Sequence, residues 1–177
     1  MKTLICAMTM MTGVMVVSAQ SKPAPDNSYT GSARSRWNAI KRNISASAKA
    51  MPDAGYAFKP TADVRTFGQL LGHLANEHYM FCSDLKDEPN PQKAVDFEKK
   101  TAKADLVKAI DDSIAYCDAA YAAVKDDAKT ITPLKPGGDT PFSLMLGNIT
   151  HDSEHYGNIV TYLRLKGIVP PSSQPSR

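Results

Sequence analysis

The stretch TPFSLMLGNITHDSEHYGNIVTYLRLKG, residues 140–167, decides the fold class. Thr140 stands where a helix cap is needed, and Pro141 follows at the first helical position, where its missing N–H costs nothing. Phe142, Met145, Leu146, Ile149, Ile159, Tyr162 and Leu163 then recur at spacings of three and four, marking one apolar face of a long helix. Arg164 and Lys166 occupy the last turn, where cations are favoured, and Gly167 ends the helix. On the same stripe as Leu144, Asn148, Ile159 and Tyr162 lie His151 and His155, one turn apart and pointing the same way.

The rest of the chain repeats the helical theme. Trp37, Ile40, Ile44 and Ala48 place a helix over residues 29–50, stopped by Met51-Pro52. Residues 53–64 read as a loop pinned by Tyr56 and Phe58. Thr66 and Gln69 form a T-x-x-Q capping box, and Phe67, Leu70, Leu71, Leu74, Met80 and Phe81 carry a second helix to about residue 85. Pro89 and Pro91 mark a turn, and residues 94–100 add a short extra turn. Leu106, Ile110, Ile114, Cys117 and Tyr121 define a third helix over about residues 103–125, with Asp105 in its first turn. Residues 131–139, with two prolines and two glycines, form a long loop. No β-alternation of useful length occurs. The expected fold is all-α, an up-and-down-type four-helix bundle in one domain, residues 29–172, with a short tail over 173–177.

Composition narrows the function classes. At 177 residues, 42% hydrophobic and 22% charged, the chain is long enough for one proper core and does not read as disordered. Its 21 Lys+Arg are interleaved with 18 Asp+Glu and form no dense run, so nucleic acid is not an expected partner. Met1-Lys2, an apolar run from Leu4 to Val17, and Val17-Ser18-Ala19 read as a secretory signal peptide over residues 1–19, cleaved after Ala19. A flexible leader, residues 20–28, follows. An exported protein, periplasmic or secreted and without stable membrane insertion after cleavage, is the expectation. Cys82 and Cys117 are the two cysteines of the mature chain, and an oxidising compartment admits a disulfide between them, with two buried thiols as the alternative.

Four histidines carry the candidate chemistry. His73 shares a face of the second helix with Leu70 and Met80, and Glu77 follows one turn on. With His151 and His155 it completes a three-imidazole set, which suits a divalent metal ion: zinc or nickel, with iron or manganese as further candidates. Three neutral ligands leave the full charge of the ion and an open position for water. Glu77 and Glu154 are the candidate catalytic acids or bases, and Asp152 is a further candidate partner of the ligands. His78, rotated about 140° from His73, is expected at the surface or rim. Three imidazoles buried without a ligand would cost about 1–3 kcal/mol each, which counts against a metal-free interaction module. The H-E-x-x-H protease motif is missing, because Asp152 follows His151, and no C-x-x-C-H haem motif exists.

Three runs in combination resemble a known family. They are Leu71-Gly72-His73-Leu74 after Phe58-Lys59-Pro60-Thr61, then His151 through Tyr156-Gly157, and finally Tyr162-Leu163-Arg164 through Lys166-Gly167-Ile168-Val169-Pro170-Pro171. Together they are similar to the DinB-like (YfiT-type) superfamily of four-helix bundles, over about residues 37–172. The resemblance implies metal ligands at His73, His151 and His155, an unidentified small-molecule substrate, and a homodimer. It also implies activities ranging from metal-dependent hydrolysis to thiol-dependent transfer. An exported location argues against the thiol chemistry and favours a hydrolase using a water on the three-histidine site. A non-catalytic metal-binding or stress-related periplasmic protein is the alternative.

Overall fold

The helix-start signals are realised as hydrogen bonds. The Gln69 backbone N–H donates to Thr66 Oγ1 (3.1 Å) and the Thr66 N–H returns to Gln69 Oε1 (2.9 Å). Ser143 N–H donates likewise to Thr140 Oγ1 (3.0 Å), with Pro141 in the first turn. The computed structural model describes residue 26 and residues 28–175, and four helices account for most of them. These are α1 (Tyr29–Ala50), α2 (Phe67–Lys86), α3 (Lys103–Ala123) and α4 (Pro141–Leu165). No strand occurs among the described residues. The signal-peptide reading of residues 1–19, with most of the leader, lies outside them. No described helix is long and apolar enough to cross a membrane.

The helix ends follow from local chemistry as well. Met51 N–H closes α1 on Ser47 O (3.1 Å), and Pro52 cannot continue the ladder. Beyond α4, Gly167 adopts a φ of 71°, and Ile168 N–H returns to Leu163 O (2.9 Å). That left-handed turn is open to glycine without a Cβ penalty, and it satisfies carbonyls the helix would otherwise leave free.

Side-chain pairs give the direction of each helix. Trp37 Nε1–H donates to Asp118 (2.7 Å) and Ser45 Oγ–H to Asp111 (2.8 Å), so α1 and α3 are antiparallel. His78 meets Ser113, and Cys82 is disulfide-bonded to Cys117, so α2 and α3 advance together. His73 faces His151, while Phe81 lies against Gly147, so α2 and α4 are antiparallel. The four-helix bundle is therefore up, down, down, up. α2 packs against α3 and α4, and α1 completes the ring against the other sides of the same two helices. A parallel pair of neighbours cannot be joined by a tight turn. Residues 87–102 accordingly return along the length of α2, and the Phe97–Lys99 turn within them is packed on that helix.

The core runs through the middle of the ring. Trp37 stacks on Tyr121 (5.1 Å between centroids), and Tyr121 Oη–H donates to Met145 O (2.9 Å), tying α1, α3 and α4 together. Phe67, Leu71, Leu74, Leu106, Ile110, Ile159 and Leu163 are fully buried around them. Two residues of the expected apolar stripes are not covered. Met80 and Leu146 are exposed.

The disulfide is the covalent link between the two parallel helices. It closes a loop with a sequence separation of 35, and tethering a loop of that size stabilises the folded state by about 3–4 kcal/mol in the chain-entropy account. Replacing both residues (Cys82→Ala with Cys117→Ala) should lower the unfolding free energy from urea denaturation by that order, with the helical circular dichroism of the folded state retained.

Candidate metal centre

Helical periodicity brings His73, His151 and His155 to one place. His73 lies in the second turn of α2, and the other two are a turn apart on the facing side of α4. Ring centroids are 5.1 Å apart for His73–His151, 4.8 Å for His73–His155 and 4.5 Å for His151–His155. One nitrogen from each ring lies within 4.8 Å of the other two, and no acid or cysteine joins the group among the described residues.

The donor set fits a small divalent cation. The Nε2 atoms of His73 and His151 are 3.1 Å apart. Two nitrogens at the usual zinc distance of about 2.0–2.1 Å and a tetrahedral angle would be about 3.3 Å apart, so only a small adjustment separates the two arrangements. The Nδ1 atoms of His151 and His155 are buried without a hydrogen-bond partner. Buried polar atoms are normally satisfied; that of His151 lies on the side of Asp152 (4.0 Å to Oδ1), so the Nε2 of His151, facing His73, is the nitrogen available to an ion.

Electrostatics favour the neutral, ligating form of His73 and His155. Burial lowers the pKa of His73, with Arg65 adding to the effect and Glu98 and Glu77 opposing it. His155 is pushed down to about 4, first by burial and then by the positive charge that His151 and His73 would carry. His155 is therefore neutral at pH 7, the state a metal requires.

The three acids near the histidines occupy different environments. Glu77 is half-buried one turn beyond His73, near enough to act on it electrostatically but without a hydrogen bond to any of the histidines. Glu154 is exposed beside His155. Asp152 is fully buried and turned into the bundle, where both its oxygens accept from His78 Nε2–H (3.0 and 3.1 Å). Burial works against charge on Asp152, yet His78, with His151 beside it, holds its carboxyl below the ordinary carboxylate range.

His78 is the clear correction. Expected at the rim, it is fully buried, with Nδ1 against the Ser113 hydroxyl (2.9 Å) and its ring edge-on to Trp37 (5.3 Å between centroids). The 140° rotation away from His73 holds, but it points His78 into the core between α3 and α4 rather than to solvent.

The carboxylate that touches a histidine of the cluster is Glu98, which the spacing could not reveal. Glu98 Oε1 is 3.0 Å from His73 Nδ1. Arg65 holds the same carboxylate through Nε (2.9 Å to Oε2) and Nη2 (3.4 Å to Oε1). Beyond Arg65 a cleft of about 410 Å³ opens between residues 60–65 and α4, lined by Pro60, Val64, Leu70, His155, Asn158 and Tyr162 among others. Tyr162 Oη–H donates to Arg65 O (2.6 Å), which fixes the cleft wall to α4. A larger depression on α1, lined by Asp26, Arg34, Arg36 and Arg42, shares no residue with the histidines.

A helical bundle whose core helices present three convergent histidines on one side defines a class of metal-site bundle. The family model described as the DinB superfamily matches residues 36–159, which cover α2, α3 and all three histidines, and the chain belongs to that superfamily. No curated protein matches the chain.

The two acids of the His151–His155 run are predicted to behave differently. Asp152→Ala leaves His78 buried without its partner and should cost about 3–5 kcal/mol in urea denaturation. Glu154→Ala, at an exposed position, should change stability by no more than about 0.5 kcal/mol.

Proposed function

We propose that the protein is an exported, divalent-metal-dependent hydrolase acting on a small molecule, with His73, His151 and His155 as the metal ligands. The observation that carries the reading is the convergence of three imidazoles, one nitrogen of each within 4.8 Å of the others, beside a cleft of about 410 Å³. A divalent ion held by three neutral ligands supplies Lewis acidity and acidifies a water at neutral pH. Zinc or nickel suits this all-nitrogen set best, with iron or manganese as further candidates.

The chain's own residues divide the remaining tasks. Val64, Leu70 and Tyr162 give the cleft an apolar wall, and Asn158 offers an amide that can orient a polar group. Glu154, exposed beside His155, and Glu77, half-buried beside His73, are the carboxylates placed to take up a proton near the site. The Cys82–Cys117 disulfide suits an oxidising compartment, in keeping with the signal-peptide reading of residues 1–19. In such a compartment low-molecular-weight thiols are scarce, which favours hydrolysis over thiol transfer. A periplasmic metal-binding protein without turnover is the second reading, supported by the absence of any hydrogen bond between Glu77 or Glu154 and the histidines.

Protein purified without an affinity metal column should contain one equivalent of divalent metal by elemental analysis, and His151→Ala should lose it. Chelator treatment should lower the melting temperature, since metal at 100 times its dissociation constant contributes about 2.7 kcal/mol. A panel of ester, amide and phosphate substrates, with and without chelator, separates the two readings. Chelator-sensitive turnover supports the hydrolase, and stoichiometric metal without turnover supports the second reading. N-terminal sequencing of protein expressed with its full leader should begin at Gln20, and an intact Met1 in the exported fraction would count against cleavage.

A further inference from the structure

The geometry points to Glu98 as the positioning residue of the metal centre, delivered to His73 by the strap of residues 87–102 and admitted there by the missing side chain of Gly72. The inference rests on the three-histidine reading above and adds a residue outside the ligand set.

Gly72 precedes His73 on α2 and is buried beneath the Phe97–Lys99 turn. A Cβ at position 72 would lie 2.5 Å from Phe97 O and 2.6 Å from Glu98 N. Both are backbone atoms, so any side chain there would push the strap off the helix. With glycine, the strap seats closely and is held by specific bonds. Phe97 N–H donates to Asn76 Oδ1 (3.1 Å), Asn76 Nδ2–H donates to Asp96 Oδ1 (3.3 Å), and Glu98 N–H donates to the same Asp96 oxygen (3.0 Å). Tyr79 stacks under Phe97 at 6.0 Å between centroids.

That seating places the Glu98 carboxylate at the outer nitrogen of His73. A carboxylate only accepts, so His73 must carry its proton on Nδ1 and direct the Nε2 lone pair inward, toward His151 Nε2. Arg65 fastens Glu98 from the other side and leaves it on the far side of the ring from the cluster centre. Glu98 thus orients a ligand and raises its basicity without closing the open position of the site. An outer partner of a metal-bound histidine typically affects metal affinity by about 10–100-fold.

The test uses the full chain in metal-free form, with zinc as the probe. Zinc dissociation constants from competition with a chromophoric chelator are compared for wild type, Glu98→Gln, Glu98→Ala, Gly72→Ala and the double variant Gly72→Ala with Glu98→Ala. Urea denaturation of each variant establishes that it is folded, and 15N NMR of the metal-free imidazoles reads the His73 tautomer. Glu98→Ala is expected to weaken zinc by about 10–100-fold, and Glu98→Gln, which keeps an acceptor, by less. Gly72→Ala should approach Glu98→Ala although its carboxylate is intact, and the double variant should be no weaker than Glu98→Ala alone. His73 should carry its proton on Nδ1 in wild type and lose that preference in Glu98→Ala. Zinc binding by Glu98→Ala within twofold of a tightly binding wild type, or an Nε2–H tautomer of His73 in wild type, overturns the proposal. Fully additive losses in the double variant overturn the role of Gly72. A wild type that binds no zinc but holds His73 as the Nδ1–H tautomer supports the orientation by Glu98 and overturns the metal reading instead.

Discussion

The parallel run of α2 and α3 is the constraint on which the rest of the structure depends. Their paired residues advance together, His78 with Ser113 and Cys82 with Cys117, so the chain must travel back along the bundle between them. In an up-down-up-down arrangement residues 87–102 would have been a short turn at one end. Here they form a strap along α2, and the Phe97–Lys99 turn meets that helix at the level of His73. The topology and the surroundings of the histidine cluster are therefore one problem. A glycine at position 72 solves the steric part, and Asn76 and Asp96 satisfy the strap's backbone donors.

Beneath the cluster lies a second polar group of a different character. His78, Asp152 and Ser113 are all fully buried and bonded to one another across α2, α4 and α3. An unpaired charge at that depth would cost several kcal/mol, so each member depends on the others. Asp152 is the neighbour of His151 in sequence but is turned about 100° further round the helix, into the core. Asp152, within the histidine run, thus supports the bundle, while Glu98, distant from it in sequence, meets the cluster through His73.

Much of the fold was legible because its signals are local. A capping box needs only Thr66 and Gln69, a helix start only Thr140 and Pro141, and an apolar stripe only the 3.6-residue period. The observed bounds of α1, α2 and α4 follow from these within a residue or two. The cluster was legible too, since a histidine on an apolar stripe must face another helix. His78 was misread for a physical reason. Rotation about a helix says which way a side chain points, not what stands there, and α2 is covered by α3 on one side and α4 on the other. Met80 erred in the opposite sense, an apolar residue on a face that no helix covers.

The sequence by itself determined the helices, their caps and the helix faces that carry the three imidazoles, because each depends on residues within a few turns of one another. Only the tertiary structure decided the direction of α3, the pairing of Cys82 with Cys117, the burial of His78 and the arrival of Glu98 at His73. Those contacts join residues 25 to 74 positions apart. No periodicity encodes such pairs, because the chain between them is free to return along more than one side of the bundle. Packing alone selects the side, and it does so where Gly72 leaves room.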